Sequence, residues 1–310
     1  MIRVSTDRTE RYELVKRDTG ERTVLSRHFL SKFYEDLAPV KPVSFKSRDG
    51  LTLHGYLTRP PGAAGRLPMV LLVHGGPWLR DEWTLNPRVQ FLANRGYAVL
   101  QVNFRGSSGY GRTFMQAGAG EFGRKMHTDL LDAVAWAVDQ GVADPQKVAI
   151  YGGSYGGYAA LVGMTFTPDT FACGVDFAGI SDLASLIKNT PVAKNTPKIW
   201  NALGLSQWKR FVGNPDDPKD LEEMKARSPL YKIDQIRRPL LIAHGADDLR
   251  VPREQAAEMV RALRQAGKEV DYLLVPDEGH SLGADSDNVI FFRKLEDFLA
   301  KNLGGRTRSY

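Results

Sequence analysis

Residues 148–162 read VAIYGGSYGGYAALV, and this stretch decides the fold class. Its first four residues form an apolar run that predicts a buried strand, and the residues from Tyr158 onward predict a helix. The turn between them contains the pattern G-x-S-x-G, in which small residues on both sides of Ser154 allow a tight strand-to-helix turn that exposes the serine. An exposed serine beside a base can act as a nucleophile. Ser154 is therefore a candidate catalytic residue.

Strands of the same kind recur on both sides of this stretch. The apolar runs that a parallel sheet covered on both faces requires occur at residues 69–73, 98–102, 148–151, 173–177, 240–243 and 272–275. Helical segments separate them: Leu130, Val134 and Val138 share one helix face that ends before Gly141, and Pro252 opens another helix. The alternation predicts an α/β protein with a doubly wound, mostly parallel sheet of eight strands, preceded by an antiparallel first hairpin within residues 43–57.

The first part of the chain predicts a separate appendage. Residues 11–25 contain two short strands around a turn, and Pro39 and Pro42 predict a stiff connector. We therefore predict an appendage over residues 1–39, a catalytic domain over residues 40–303 and a flexible tail over residues 304–310.

The composition is that of a globular protein, with 42% hydrophobic and 25% charged residues, so disordered and fibrous classes are excluded. Lys plus Arg (42) exceed Asp plus Glu (36) by 6 without any basic run, which argues against a nucleic-acid partner. The single cysteine, Cys173, excludes an internal disulfide and a CxxC site, and we expect it to be an inert, buried residue. No apolar leader or membrane-length apolar run is present, so a cytoplasmic protein without a membrane partner is expected.

The short pattern G-x-S-x-G also occurs around Ser281, so chain order is needed to choose between the two serines. In folds with this turn, an acid and then a histidine follow the serine, each after a later strand. No histidine follows Ser281, whereas His244 and His280 both follow Ser154. His280 lies on the loop after the last strand and is the predicted base. His244 ends the preceding strand, where we expect it to pack.

Two carboxylates are placed to orient the base. Asp247 and Asp248 both follow the strand before that of His280, and spacing alone does not choose between them. The oxyanion formed during attack needs two N–H donors. The residue after the nucleophile, Tyr155, supplies one, and the loop at residues 74–77 (His-Gly-Gly-Pro) supplies the other, at Gly76.

Five segments together resemble the catalytic domain of the prolyl oligopeptidase family, peptidase S9, and the His-Gly-Gly-Pro form resembles its acylaminoacyl-peptidase branch. They stand in the family's order over roughly residues 40–302, at 73–77, 103–111, 152–158, 244–252 and 277–280. The resemblance implies an α/β-hydrolase fold and a serine peptidase without cofactor or metal.

The resemblance also assigns individual residues. It selects Asp248 as the acid and implies that Arg250 contacts a backbone carbonyl of a peptide substrate. It further implies that Val251, Ile180 and Leu183 line the pocket for the residue before the cleaved bond.

Full-length members of the family carry an amino-terminal β-propeller, and residues 1–38 look similar to the closing strands of one. The chain is either a catalytic half with a propeller remnant or a short member with an open site. The face that a propeller would cover is expected to be apolar, so we predict self-association into a homo-oligomer.

Several noted residues also have structural interpretations. Arg105 is expected to stabilise its own loop, His74 to shape the oxyanion loop, and residues 216–220 to form a solvated turn. No pair of histidines has the helical i, i+4 spacing of a zinc site, so no metal is predicted.

The sequence thus predicts a serine hydrolase that forms an acyl-enzyme on Ser154 and acts on short peptides or acyl-amino acids. A carboxylesterase acting on small acyl esters is the alternative within hydrolases. A non-catalytic interaction module is the alternative from another class.

Overall fold

The computed structural model describes residues 1–189 and 205–308. Its main body is built on a sheet of eight strands in the order β11-β10-β9-β8-β6-β7-β5-β4. These strands are β4 (Val40–Lys46), β5 (Thr52–Thr58), β6 (Leu67–Val73), β7 (Ala98–Asn103), β8 (Ala143–Gly153), β9 (Cys173–Phe177), β10 (Leu240–Gly245) and β11 (Val270–Val275). The predicted α/β class and strand number are confirmed.

The direction of the strands also follows the prediction. Strands β6 to β11 pair in parallel, whereas β5 runs antiparallel to both β4 and β7. The hairpin turn between β4 and β5 contains Gly50 with φ +85°, a conformation that favours glycine. Because β8, β10 and β11 are parallel, the loops that follow them leave the sheet at the same edge.

Helices cover both faces of the sheet. Those in the described ranges are α1 (Pro87–Asn94), α2 (Arg112–Gln116), α3 (Lys125–Asp139), α4 (Tyr155–Phe166), α5 (Leu183–Asn189), α6 (Leu205–Val212), α7 (Pro218–Ala226), α8 (Glu254–Gln265) and α9 (Asp285–Leu303), with 3-10 helices at Phe29–Phe33 and Pro229–Gln235. Within these ranges, none of the helices combines the length and apolar character needed to cross a membrane.

Strand β6 shows why apolar and polar residues do not alternate along the central strands. Met69, Leu71 and Val73 pack into the core on the side of α3, α4 and α8, whereas Val70 and Leu72 pack into the core on the side of α1 and α9. All five are buried, because each face of the sheet meets a layer of helices.

The last strand differs from the expected buried run. β11 pairs only with β10 in the described structure, and the side chain of Leu274 is 39% exposed. The prediction of a buried strand over residues 272–275 was wrong in this respect, because an edge strand is covered less completely than a central one.

A second, separate sheet is formed by the beginning of the chain. It contains β1 (Ile2–Ser5), β2 (Glu10–Val15) and β3 (Arg22–Arg27) in antiparallel order. The two strands expected within residues 11–25 are present, and β1 adds a third. The side chain of Asp7 accepts a hydrogen bond from the backbone of Val40 at 3.0 Å, which ties this sheet to the start of β4.

One segment predicted to be a solvated turn is more ordered than expected. Residues 216–220 begin a helix instead of forming only a turn: Asp217 accepts hydrogen bonds from the backbone of Lys219 (2.8 Å) and Asp220 (3.0 Å), and Pro218 is the first helical residue. In the tail, Tyr97 donates a hydrogen bond to the carbonyl of Gly304, and the backbone of Arg306 bonds to that of Arg95. The end of the predicted tail, residues 309–310, lies outside the described residues.

Candidate active site

Ser154 occupies a strained turn between β8 and α4. Its backbone has φ 59° and ψ −119°, a conformation that residues with a Cβ rarely adopt. A Cβ on Gly156 would collide with the carbonyl oxygen of Val73, so the glycine two residues after the serine has no room for a side chain. The turn therefore has the geometry of a nucleophile elbow and leaves Ser154 half-buried at the edge of the sheet.

Asp248 and His280 meet at the same edge, after β10 and β11. The Nδ1 atom of His280 lies 2.6 Å from Oδ2 of Asp248, and Oδ1 of Asp248 accepts the backbone N–H groups of Arg250 (2.8 Å) and Val251 (3.0 Å). The Asp248 side chain is fully buried, whereas the His280 side chain is 19% exposed. The imidazole therefore extends from a fixed, buried carboxylate toward the surface.

The Asp248 carboxyl is ionised although it is buried. Burial raises the pKa of this carboxyl, but hydrogen bonds with His244 and His280, the charge of His280 and the Val251 N–H outweigh burial and hold the pKa well below its usual range. An ionised Asp248 accepts a hydrogen bond from the Nδ1–H of the neutral His280 ring, so Nε2 of that ring is left as the proton acceptor. This is the tautomer that a general base needs.

The contact between the candidate nucleophile and the candidate base is not formed in the described structure. Within the described residues, no hydrogen bond joins the hydroxyl of Ser154 to His280. Such bonds are often long before substrate binds and shorten in the reacting complex.

The loop at residues 74–77 runs beside the serine. A Cβ on Gly75 would lie 3.5 Å from Cβ of Ser154 and 3.2 Å from the carbonyl oxygen of Gly153. Gly76 has φ +116°, and a Cβ there would lie 2.5 Å from the backbone nitrogen of Trp78, so only glycine fits. Tyr155 is the first residue of α4, where backbone N–H groups have no helical acceptor. The residue after the serine and the loop at residues 74–77 therefore both adjoin Ser154, and their roles as oxyanion donors stay predictions.

Comparison with known proteins identifies the family. The sequence model of the Prolyl oligopeptidase family matches residues 83–306. The chain belongs to the prolyl oligopeptidase family. The family is one of serine-type peptidases, and the predicted resemblance is confirmed.

Two curated relatives and one solved structure illustrate this membership. The chain is 48% identical over 278 residues to dipeptidyl aminopeptidase BIII of Pseudoxanthomonas mexicana, covering 87% of this chain and 39% of that protein. It is 32% identical over 240 residues to the human acylamino-acid-releasing enzyme, covering 75% of this chain and 31% of that protein. It is also similar to a puromycin-hydrolyzing peptidase of Mycobacterium tuberculosis, with a TM-score of 0.89 and 27% identity over 99% of this chain and 46% of that chain. The chain thus spans less than half the length of each.

His74 has a structural role in this prolyl oligopeptidase-family domain. Its Nε2 lies 2.8 Å from the hydroxyl of Ser107, and its ring stacks on Phe104 with 4.4 Å between centroids. Burial lowers the pKa of His74 to about 4, although a hydrogen bond with the Gly75 carbonyl opposes this. The ring is therefore neutral at pH 7 and holds the loop at residues 74–77 against the loop that contains Ser107.

Arg105 is also structural, as expected. Its guanidinium is 5% exposed and forms ion pairs with Asp129 at 2.7 Å and with Asp49 at 2.9 Å. The pairs join β7 to α3 and to the β4–β5 turn. Cys173 is buried, and burial raises the pKa of its thiol to about 12, so it is unreactive at pH 7.

The apolar residues expected to bind substrate are buried. Ile180, Leu183 and Val251 are 1%, 0% and 4% exposed and belong to the core that also contains Tyr155. The backbone of Arg250 is fixed by Asp248. Their contacts with substrate remain predictions.

Sequence reasoning missed the surroundings of His244. This residue is fully buried, its Nε2 lies 2.9 Å from the carbonyl oxygen of Val251, and the same atom lies 3.4 Å from Oδ2 of Asp248. The expectation that it packs at a strand end is confirmed, but it also contacts the acid. The only signal in the sequence is its position four residues before Asp248.

Two cavities lie outside the space between Ser154 and His280. One, of about 600 Å³, lies between the 3-10 helix at Phe29–Phe33 and α1, and none of its lining residues belongs to the loops that carry the three candidate catalytic residues. The other, of about 440 Å³, borders the loop of Asp247 and Asp248 and the start of α8. The first therefore lies where the segment between the two sheets, residues 29–38, packs against α1.

Proposed function

We propose that this chain is the catalytic unit of a serine peptidase that cleaves peptide or acyl-amino-acid bonds through an acyl-enzyme on Ser154. The observation that carries the proposal is the 2.6 Å hydrogen bond between His280 and the buried, ionised Asp248, at the same sheet edge as the strained Ser154 turn. Family membership supports the same reaction class.

The reaction begins with attack of the Ser154 hydroxyl on the substrate carbonyl. The Oγ–C bond forms, the hydroxyl proton passes to Nε2 of His280, and the carbonyl electron pair becomes an oxyanion that accepts hydrogen bonds from the N–H groups of Tyr155 and Gly76. Asp248 stabilises the imidazolium and fixes its orientation. When the C–N bond breaks, His280 returns the proton to the leaving amine.

Water then releases the acyl group. His280 removes a proton from the attacking water, the second oxyanion uses the same two donors, and the proton returns to Ser154 as the free acid leaves. All groups that this cycle requires come from the chain itself. The loops around the site therefore serve to position these groups.

The substrate class is inferred from the relatives. One is named a dipeptidyl aminopeptidase and another an acylamino-acid-releasing enzyme, and both names describe removal of a short unit from the amino end of a peptide. We infer that the acyl part of the substrate is one or two residues long. Ile180, Leu183 and Val251 belong to the same apolar core as Tyr155, and a pocket lined by them would accept an apolar side chain before the cleaved bond.

A labelling experiment tests the nucleophile. A fluorophosphonate probe should modify the wild-type chain at Ser154, and Ser154→Ala and His280→Ala should prevent labelling while the proteins remain folded. Ser281→Ala is the matched control, because Ser281 lies in the second G-x-S-x-G sequence and is exposed. Labelling that persists in Ser154→Ala would refute the assignment, and absence of labelling in the wild type would favour an interaction module.

A substrate comparison tests the reaction class. Acyl-aminoacyl and dipeptidyl p-nitroanilides should be hydrolysed by the wild-type chain, and p-nitrophenyl esters should be hydrolysed as well because esters are easier to cleave. Hydrolysis of esters without any anilide turnover would identify a carboxylesterase instead.

A further inference from the structure

A second buried histidine lies behind the acid of the proposed triad. His244 is the second-last residue of β10, and its side chain has no exposed surface. Its Nε2 faces two oxygens, the Val251 carbonyl at 2.9 Å and Oδ2 of Asp248 at 3.4 Å. Oδ2 is the same oxygen that contacts His280. Two imidazoles therefore share one carboxylate oxygen.

The proton on His244 can be placed from these contacts. A backbone carbonyl only accepts hydrogen bonds, so Nε2 of His244 carries the proton and donates it toward Val251. The same N–H faces Oδ2 of Asp248 and supplies positive charge to that side of the carboxylate. The other ring nitrogen, Nδ1, is buried without a hydrogen-bond partner in the described structure.

A second buried carboxylate lies on the same side of the sheet. Asp176 of β9 pairs with Ile242 of β10, and His244 stands two residues beyond Ile242, so the side chains of Asp176 and His244 lie on one face. Neither oxygen of Asp176 has a hydrogen bond of normal geometry to a described residue. Glycines at 157 and 179 make room for this carboxylate, because a Cβ at either position would collide with Oδ1.

We propose that His244, whose side chain shares a sheet face with that of Asp176, is a positioning residue that holds Asp248 in the orientation required by His280. The proposal rests on the catalytic roles proposed above for Asp248 and His280. The two loops of the triad are thereby connected to the start of the nucleophile helix, since Asp176 packs directly against Gly157.

The electrostatics of the group agree with this role. Burial lowers the pKa of His244, but hydrogen bonds with Asp248 and Val251 and the charges of Asp248 and Asp176 together raise it. Burial raises the pKa of Asp176 to about 7, against the opposing effects of His244 and the Gly179 amide. Nε2 of His244 carries a proton both in the charged ring and in the neutral tautomer deduced above. The N–H donor toward Asp248 is therefore present throughout the neutral range.

Two matched substitutions separate this role from mere packing. In His244→Gln the side-chain amide nitrogen can take the place of Nε2, whereas in His244→Asn it reaches only the position of Nδ1. The Asn variant should lose about 10²-fold in kcat through misplacement of the acid, with KM changed less than about twofold, and the Gln variant should stay within about tenfold of wild type. A folded Asn variant whose kcat is within about twofold of wild type overturns the proposal.

Fluorophosphonate labelling distinguishes this result from failure of the proposed function. If the wild-type chain is not labelled at Ser154, the catalytic assignment itself fails. If the wild type is labelled and His244→Asn is labelled at the same rate, only the role of His244 is rejected.

A measurement on the wild-type chain covers the case in which the variants do not fold. In ¹⁵N-histidine-labelled protein, the Nε2–H signal of His244 should shift at the pH where His280 titrates, because both rings contact Oδ2 of Asp248. His280→Ala, which should lack this shift, assigns the effect. A His244 signal that is insensitive to protonation of His280, or an Nε2 without a proton, overturns the proposal.

Discussion

Asp248 and His280 form a 2.6 Å hydrogen bond in which the carboxylate is fully buried and the imidazole reaches the surface. The acid is fixed by backbone N–H groups on one oxygen and by two imidazoles on the other. Asp247, one residue earlier, has an exposed side chain, and its backbone bonds to Glu278. The structure therefore favours one of two neighbouring carboxylates that sequence spacing could not separate.

Replacement of Asp248 by Asn should preserve the shape of the site and lower kcat by about 10⁴-fold, because the amide no longer selects the tautomer of His280 that accepts a proton at Nε2. Steady-state hydrolysis of an acyl-aminoacyl anilide measures the effect. Asp247→Asn is the control and should keep wild-type activity. Equal losses in the two variants would contradict the assignment of the acid.

Gly76→Ala should lower kcat by about 10²-fold to 10³-fold, because a Cβ displaces the backbone N–H that we assign to the oxyanion. The methyl group would meet the backbone nitrogens of Trp78 at 2.5 Å and Leu79 at 2.7 Å. Gly62→Ala is the matched control: Gly62 also has positive φ, but nothing lies within 4 Å of its Cβ position. If both variants retain activity, Gly76 is not an oxyanion donor.

Arg105→Met should destabilise the protein by about 3–5 kcal/mol, because it leaves the carboxylate of Asp129 buried without its partner. That carboxylate is 0% exposed. Urea unfolding followed by circular dichroism measures the change in free energy of unfolding. Arg237→Met, which removes an exposed ion pair with Asp169, should change it by less than about 1 kcal/mol. A small effect of Arg105→Met would mean that the ion pairs of Arg105 with Asp129 and Asp49 contribute little to stability.

The features that depend on local conformation were predictable from the sequence. The Ser154 turn follows from its glycines, and the central strands follow from apolar runs that both helical layers bury. The helix cap at Asp217 was missed because residues 216–220 were expected to form only a solvated turn, although Asp followed by Pro is also a helix start.

Features that depend on tertiary neighbours could not be predicted in the same way. The exposure of β11 depends on its edge position, and the relation between Asp176 and His244 depends on the adjacency of β9 and β10. No local pattern in a single sequence encodes which two strands become neighbours. Asp248 rather than Asp247 was selected only because the family resemblance supplied information that spacing lacked, and its role as the acid stays a prediction.

Asp81 provides a pH-dependent test of the fold that is separate from the proposed catalysis. Burial raises the pKa of its carboxyl to about 7, although a hydrogen bond from Gln101 and the charge of Arg88 oppose this. Because the folded state binds this proton more tightly than the unfolded state, the contribution of Asp81 to stability falls as pH rises from about 4 to about 7. Asp81→Asn removes that dependence.

The stability of Asp81→Asn relative to wild type should therefore increase between pH 5 and pH 8, as measured by urea unfolding at both values. Glu82→Gln, which alters an exposed carboxylate paired with Arg80, is the control and should show no such trend. A constant difference between Asp81→Asn and wild type across this interval would show that Asp81 has the same pKa in the folded and unfolded states.

The small sheet should mediate self-association, because β3 pairs only with β2 in the described structure and exposes every side chain. Val24 and Leu25 on this edge are 41% and 54% exposed, and an open, partly apolar edge strand is a template for pairing with a second copy. Light scattering at micromolar concentration should show an oligomer, and Leu25→Lys should shift it to monomer. Ile290→Lys, at a similarly exposed apolar position on α9, should leave the oligomer intact. A monomeric wild type, or equal effects of the two substitutions, would exclude this edge as the interface.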